Sequence, residues 1–230
     1  DSHVTFTLPA DTAPGLLWKQ LAWKDGQTNP VPLYATTLPV VLETDQDNTL
    51  PATAQQVAIP GGINGRISAD SDVDCFRFEA KKGEHYTFEV RARRYQSSLD
   101  PYLRIVSLDG KQLSENDDLK DFKRSFADSR IENWTVPADG EYALEIRDMH
   151  LRGEDSYVYL IEATKAEPHF ILYADTDKTL LAPGASGVVF VQVERKNGFT
   201  GEIQLQIEDL PAGVEAVCGR ILPDKGRDGC

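Results

Sequence analysis

The feature that most constrains this chain is the regular succession of short strand-like segments and Asp/Gly turns between residues 64 and 148. Within a segment, apolar residues recur at every second position, as in Cys75-Phe-Arg-Phe-Glu-Ala80. Because successive side chains of a strand point to opposite faces, each segment has one buried and one solvated side. Turns such as Asp109-Gly110 and Asp139-Gly140 separate the segments at hairpin spacing. The pattern predicts an all-β fold whose central domain is an antiparallel β-sandwich.

Composition divides the chain into three predicted domains. An acidic stretch starts at Glu43, and a second junction spans residues 165–168. We expect residues 1–41 to be either the C-terminal strands of a preceding β-sandwich domain or strands that dock on the next domain, because so few strands cannot close a core alone. Residues 42–166 form the predicted central sandwich. Residues 167–230 form a predicted immunoglobulin-like β domain that is incomplete, so we expect the gene product to continue.

Two local expectations concern the less regular parts of the chain. Residues 114–130 are the longest interruption of the strand rhythm, and their charged composition leaves room for a helical turn. In the last domain, apolar alternation predicts four strands. They cover residues 170–174, 188–194, 202–207 and 214–218.

The charge balance limits the partners. The chain carries 24 Lys and Arg against 37 Asp and Glu, for a net charge of -13. Nucleic acids and anionic membrane surfaces are bound through clustered basic residues, so this balance argues against both. No apolar run approaches the roughly 20 residues that a transmembrane helix requires. No signal segment or initial Met opens the chain, so we expect a processed or trimmed product.

The three cysteines suggest one structural thiol and one candidate disulfide. Cys75 lies at the start of a strand and is expected to be a buried free thiol. Cys218 and Cys230 enclose a short loop that a disulfide could close in an oxidising compartment. The sequence leaves both the bond and two free thiols open. The spacing matches no zinc signature.

Motifs for catalysis are missing from the sequence. We find no Gly-x-Ser-x-Gly elbow, no His-Glu-x-x-His and no phosphate-binding loop. Paired acids such as Asp117 and Asp118 lack the apolar setting that raises the pKa of a general acid. The sequence therefore favours a non-catalytic module over a secreted hydrolase.

Calcium is the sharper expectation, because it takes roughly six to eight hard oxygen ligands and acidic loops supply them. Two acidic stretches together form the first candidate site, and a separate group of acids forms the second. The alternative is that all of these acids form ordinary surface turns. The first site combines Glu43, Asp45, Asp47 and Asn48 with Asp70, Asp72 and Asp74, and the second comprises Asp117, Asp118 and Asp128.

Aromatic and basic side chains give two further hypotheses. Exposed rings could form a stacking platform for polysaccharide, although core packing explains the same residues. The basic run from Arg91 to Tyr95 is predicted to be a solvated strand end that pairs with nearby acids. The candidate platform residues are Trp18, Trp23, Tyr95, Tyr102, Trp134, Tyr157 and Tyr159.

The central segment, roughly residues 42–164, resembles the bacterial pre-peptidase C-terminal domain family. The likeness rests on an ordered succession of motifs. The chain beyond these motifs, around residues 198–203 and 210–214, looks like the immunoglobulin-like repeat of large secreted bacterial proteins. The motifs are Leu42-Glu43 with Asp47-Asn48, Asn64-Gly65-Arg66-Ile67, Asp72-Val-Asp74-Cys-Phe76-Arg-Phe78, Ser98-Leu-Asp100-Pro-Tyr-Leu103, Asp109-Gly110, Glu115-Asn-Asp-Asp118, Asp128-Ser129 and Pro137-Ala-Asp-Gly-Glu-Tyr142.

The resemblance implies a jelly-roll-like sandwich that is an accessory to catalysis in exported proteins. Relatives in collagenases hold calcium with a Glu-x-Glu-Pro-Asn-Asn linker and an Asp-rich turn; this chain has Asp45, Gln46 and Asp47 where Glu, Pro and Asn stand. The calcium ligands implied here are Glu43, Asp45, Asp47, Asn48, Asp72 and Asp74.

From these observations we expect a non-catalytic accessory module of a larger bacterial protein, calcium-stabilised and secreted, periplasmic or at the cell surface. Its expected partners are other domains of the same polypeptide, and polysaccharide or extracellular protein. The alternative is a subunit of an extracellular assembly that pairs through strand edges.

Overall fold

The computed structural model describes residues 7–44, 46–121, 124–223 and 228–229. The chain divides into two compact units, residues 1–166 and 167–230. Within the described residues, none of the segments is a helix with the length and apolar character needed to cross a membrane.

The first unit begins with four short strands that form two small antiparallel sheets. Strand β1 pairs with β4, and β2 pairs with β3. The strands are β1 (Gly15–Lys19), β2 (Ala22–Trp23), β3 (Gly26–Gln27) and β4 (Val31–Ala35).

Twelve further strands and one short 3-10 helix, Arg93–Tyr95, complete the first unit. Their apolar residues alternate with polar ones, as the sequence predicts. The strands are β5 (Val40–Leu42), β6 (Gln55–Gln56), β7 (Gly61–Arg66), β8 (Asp74–Ala80), β9 (His85–Arg91), β10 (Pro101–Ser107), β11 (Gln112–Asn116), β12 (Leu119–Asp121), β13 (Arg124–Phe126), β14 (Arg130–Thr135), β15 (Gly140–Asp148) and β16 (Val158–Lys165).

Ten of these strands build two five-stranded sheets. The first sheet has the order β11-β10-β15-β8-β6, and the second has the order β14-β9-β16-β7-β5. Neighbouring strands are antiparallel except at one edge of each sheet, where β6 pairs with β8 and β5 pairs with β7 in parallel. Strands β12 and β13 form a separate hairpin.

One apolar core lies between the two sheets. Phe78 from the first sheet is completely buried, and its ring lies 5.5 Å from that of Phe88 and 6.2 Å from that of Trp134, both in the second sheet. The same core takes Leu103 from the first sheet and Ile161 from the second. Inward residues of both sheets therefore share one interior, which confirms the predicted all-β antiparallel sandwich.

The expected helical turn within residues 114–130 is wrong. The described residues of this segment include the end of β11, the paired strands β12 and β13 and the first residue of β14, and none of them is helical. The charged side chains of Glu115, Lys120 and Arg124 are exposed, whereas Leu119 is buried with only 2% exposure. The sequence does not reveal these strands, because strands that face solvent need only a few buried side chains. Their apolar residues are therefore too few to show the alternation that is typical of a strand.

The second unit has five short strands and a small core. Sheets of order β17-β18-β21 and β19-β20 surround a cluster of Ile203, Leu205 and Ile221. The predicted strand at residues 214–218 is wrong, because these residues form no strand and are mostly exposed. The strands are β17 (His169–Ala174), β18 (Val191–Lys196), β19 (Ile203–Gln204), β20 (Arg220–Ile221) and β21 (Asp228–Gly229).

The immunoglobulin-like character of the second unit stays a prediction. So does a domain boundary after residue 41, since strands β1–β4 belong to the same compact unit as the sandwich.

Truncation of the Phe78 side chain in the core should strongly destabilise the sandwich. Phe78→Ala should lower the free energy of unfolding of the sandwich by about 3–5 kcal/mol, because it opens a cavity where both sheets meet. Urea unfolding followed by tryptophan fluorescence measures the change. Val158→Ala, at a site that is 46% exposed, is the control and should stay within about 0.5 kcal/mol. Equal effects of the two substitutions would contradict the shared core.

Candidate cation site

A cluster of oxygen-bearing side chains lies where the two sheets meet at one end of the sandwich. Asp74 is the first residue of β8 in the first sheet, and Tyr159 lies in β16 of the second sheet. The Tyr159 hydroxyl donates a hydrogen bond to Asp74 Oδ2 at 2.6 Å. Both residues are 1% exposed. This polar contact therefore joins the two sheets inside the protein.

Glu43 approaches the same point from the end of β5. Its backbone N–H donates to Asn64 O at 2.8 Å, which continues the pairing of β5 with β7. Its side chain accepts a hydrogen bond from the Arg66 N–H through Oε2 at 2.9 Å, and its carboxyl group is close enough to that of Asp74 to raise the Asp74 pKa. The strand pairing thus brings two carboxyl groups together.

Asn48 completes the described cluster. It is 6% exposed, and its Nδ2 donates to Glu43 Oε1 at 3.5 Å. Its backbone carbonyl accepts a hydrogen bond from Cys75 N–H at 2.8 Å. The loop after β5 is therefore fixed to the start of β8, next to Asp74.

Burial raises the pKa of Asp74 to about 8, and the neighbouring Glu43 adds to the increase while the hydrogen bond from Tyr159 opposes it. Burial also raises the pKa of the Tyr159 hydroxyl well above its usual range. A buried carboxyl group such as that of Asp74, next to a second acid, does not remain ionised unless its charge is compensated. At neutral pH this cluster therefore needs either a bound proton or a cation.

Gly65 has no side chain, and this leaves room for the Tyr159 hydroxyl and the Glu43 carboxyl group. A Cβ on this residue would overlap the Tyr159 hydroxyl, and it would lie 2.6 Å from Tyr159 Cζ and 2.7 Å from Glu43 Oε2. Gly65 is opposite Tyr159 in the β7–β16 register. Any side chain at this position would push the tyrosine and the glutamate apart.

Three of the six predicted calcium ligands, Glu43, Asn48 and Asp74, come together in the structure. Asp72 acts on Asp74 electrostatically, while its own Oδ2 accepts the Ser68 N–H at 2.7 Å. Asp47 is exposed and closes its own turn, accepting from Thr49 N at 3.1 Å and Thr49 Oγ1 at 2.8 Å. Asp45 lies outside the described residues.

The donor chemistry of the cluster suits calcium, because carboxyl groups and a carboxamide oxygen are among the hard ligands that calcium takes. The number of acids is smaller than calcium usually takes. Within the ranges that the structure describes, no group of three or more His, Cys, Asp or Glu side chains is placed to hold a metal ion. A calcium ion here would use the described oxygens together with backbone carbonyls or water.

Asp70 lies apart from the cluster, since its Oδ1 accepts the Gly153 N–H at 3.2 Å. In the second candidate group, Asp128 is completely buried, and its carboxylate accepts backbone N–H groups of residues 92–94 together with Arg94 Nε at 2.5 Å. Asp128 therefore secures a turn and an arginine.

Tyr159 and Gly65 are site residues that the sequence does not predict. The sequence places Tyr159 in a sugar platform, but it is buried, as are Trp134 and Tyr157, each with 9% exposure. These three residues cannot form a platform. The signal for Tyr159 is its alternation with core residues on β16, which predicts burial but not its partner across the sheets.

The structure tests one of the two cysteine predictions. Cys75 is buried, and burial raises the pKa of its thiol to about 12, as expected for an unreactive structural cysteine. Cys218 is partly buried beside the small core of the second unit. Cys230 lies outside the described residues, so the Cys218–Cys230 disulfide stays a prediction.

No family model and no curated protein matches this chain. Two solved structures show a likeness over 48% of it, each with a TM-score of 0.34. One is the pre-peptidase C-terminal domain of a collagenase from Bacillus anthracis, with 11% identity and 92% of that chain covered. The other is PliG, a periplasmic inhibitor of g-type lysozyme from Aeromonas hydrophila, with 14% identity and 96% covered. At these values neither likeness establishes a family or a function.

The raised pKa of Asp74 predicts a pH dependence in the absence of divalent cations. Between 3.8, the ordinary value, and about 8, the folded state holds a proton that the unfolded state has released. The free energy of unfolding should therefore fall as pH rises through this window. Asp74→Asn keeps an acceptor for Tyr159 and carries no charge, so its decline between pH 5 and pH 8 should be smaller.

Urea unfolding at both pH values in chelator measures this difference. Asp155→Asn is the control, because the side chain of Asp155 is 97% exposed. The control should behave as the unsubstituted protein does. Parallel declines in all three proteins would show that Asp74 titrates normally.

Proposed function

We propose that this chain is a non-catalytic accessory module of a larger exported protein, and that a calcium ion at the Glu43/Asp74 cluster stabilises it. The observation that supports the metal is the buried Asp74 carboxyl group next to the partly exposed Glu43 carboxyl group, with Asn48 supplying a further oxygen. A cation there would replace the proton that Asp74 otherwise retains. It would also join the loop after β5 to the start of β8.

The proposed module binds polysaccharide or protein outside the cytoplasm. A net charge of -13 favours neutral or cationic ligands. Trp18 is 48% exposed on β1 and gives a flat apolar ring for sugar stacking. Tyr102 is partly buried, and the Arg147 guanidinium lies 4.3 Å from its ring centre.

One observation favours assembly through strand edges as a second candidate. Strand β5 is at the edge of the second sheet, and Val40, Val41 and Leu42 are 44%, 39% and 68% exposed. An apolar edge strand can pair with a strand of another copy. Light scattering at increasing protein concentration distinguishes a monomeric module from such an assembly.

Calcium should stabilise the protein, and this stabilisation should depend on Asp74. With millimolar calcium, the melting temperature should rise by several degrees over that in chelator, since binding to the folded state alone adds stability by mass action. Asp74→Asn and Glu43→Gln should lose most of this rise. Asp155→Asn should keep it.

The two conditions give opposite orders of stability for Asp74→Asn. At pH 8 in chelator, this variant should be at least as stable as the unsubstituted protein, because it has no buried charge. In calcium, the unsubstituted protein should be the more stable of the two. A melting temperature that is the same with calcium and with chelator would remove the metal from the proposal.

Binding is tested with the full chain on insoluble polysaccharides and on immobilised extracellular matrix proteins. Trp18→Ala should reduce retention on polysaccharide at least tenfold if the ring stacks on sugars. Retention that is unchanged by this substitution would exclude Trp18 as the contact.

A further inference from the structure

The outer face of the second sheet carries an unusual set of buried charges. Such a face normally exposes its polar side chains to water. Here six charged side chains, three arginines and three acids, are at most 20% exposed. We call them the ion-pair face: Glu89, Arg91, Arg94, Asp128, Arg130 and Glu162.

The acids and arginines of the ion-pair face satisfy one another. Arg91 donates to Glu162 Oε2 at 2.7 Å and lies 3.2 Å from Glu89 Oε1. Arg94 bridges Glu89 and Asp128 at 2.7 and 2.5 Å. The sequence predicts that this basic run pairs with acids, which is correct. The expected solvation holds for Arg93, which is exposed, but is wrong for Arg91 and Arg94. Phe126 on β13 lies 5.6 Å from the Arg94 guanidinium carbon, and a separate segment of the chain must cover Arg91 and Glu162.

The covering segment precedes the sandwich in the chain. The Tyr34 ring on β4 lies 4.3 Å from the Arg91 guanidinium carbon and 5.5 Å from the Tyr95 ring, edge to face. The Thr36 hydroxyl donates to Glu162 Oε1 at 2.7 Å. Glu162 therefore uses one oxygen for the sandwich and the other for the preceding segment. We call Tyr34, Thr36 and their partners Arg91, Tyr95 and Glu162 the clamp.

Apart from the clamp, few contacts hold strands β1–β4 in a fixed position on the sandwich. Among residues 7–22 and 24–36, whose exposure the structure describes, Ala35 alone is buried, so these residues form no hydrophobic core of their own. Two-stranded sheets are marginal by themselves. Their fixed position on the sandwich therefore depends on a few contacts, and the clamp supplies a desolvated cation–π contact and a charge-assisted hydrogen bond.

We propose that the ion-pair face is a docking surface for the polypeptide that precedes the sandwich, and that the clamp locks strands β1–β4 to the sandwich so that both move as one rigid body. The module then transmits a defined orientation to the sequence before it, as a rigid spacer would. Residues 37–39 would act as a hinge when the clamp is open, because they connect β4 to the next paired strand, β5.

The test measures backbone 15N relaxation on the full chain, for residues 15–19 and 31–35 against residues 85–91 of β9. In the unsubstituted protein, the order parameters of both groups should be near 0.85, as in rigid backbone, and in Tyr34→Ala those of the first group should fall below about 0.6. Tyr34→Phe is the matched control and should stay rigid, because the contact uses the ring. Thr36→Val should give an intermediate loosening.

Substitution on the docked side avoids destabilising the sandwich, since removal of Arg91 would leave the buried Glu162 carboxylate without its guanidinium. Unchanged order parameters in Tyr34→Ala would overturn the proposal, as would independent motion of residues 15–19 in the unsubstituted protein. Recording the spectra in calcium and in chelator separates this proposal from the cation site. Rigidity in both solutions supports the clamp even if calcium does not bind, whereas rigidity that requires calcium would assign the fixing to the Glu43/Asp74 cluster.

Discussion

Closure of two five-stranded sheets over one shared apolar interior is the constraint on which the rest of this structure depends. Inward-facing aromatic side chains from both sheets meet around Phe78, so neither sheet could be solvated separately without exposing that face. Once this interior is filled, polar chemistry is restricted to the ends of the sandwich and to its two outer faces. Both of the sites proposed for this protein lie in those places.

The two polar sites differ in whether their buried charges are compensated. At the end of the sandwich, Glu43 and Asp74 bring like charges together, and burial raises the pKa of Asp74. On the outer face, three arginines balance three acids, so the charges compensate one another. A site where like charges are not compensated can bind a proton or a cation. A network whose acids and arginines compensate one another has no charge left to neutralise, and we propose that it holds strands β1–β4 in a fixed orientation.

The position of β5 between these sites connects them along the chain. Thr36 contacts Glu162 before the strand, and Glu43 reaches Asp74 directly after it. The strand itself makes a parallel pair with β7 and leaves three apolar residues exposed. The segment from residue 34 to residue 48 is therefore held at both ends by polar contacts that lie on different parts of the sandwich.

The sequence by itself determined the all-β class and the central sandwich, because a period of two and the turn residues are local properties. It also grouped Glu43 and Asp74 in one candidate site. It did not determine that Tyr159 and Gly65 complete the acidic cluster, or that Tyr34 packs against Arg91 and Tyr95. Those facts depend on which strands become neighbours and on what packs over them. Only the tertiary structure decided that Asp74 is buried beside Glu43, since the desolvation of a carboxyl group depends on atoms that are distant in sequence.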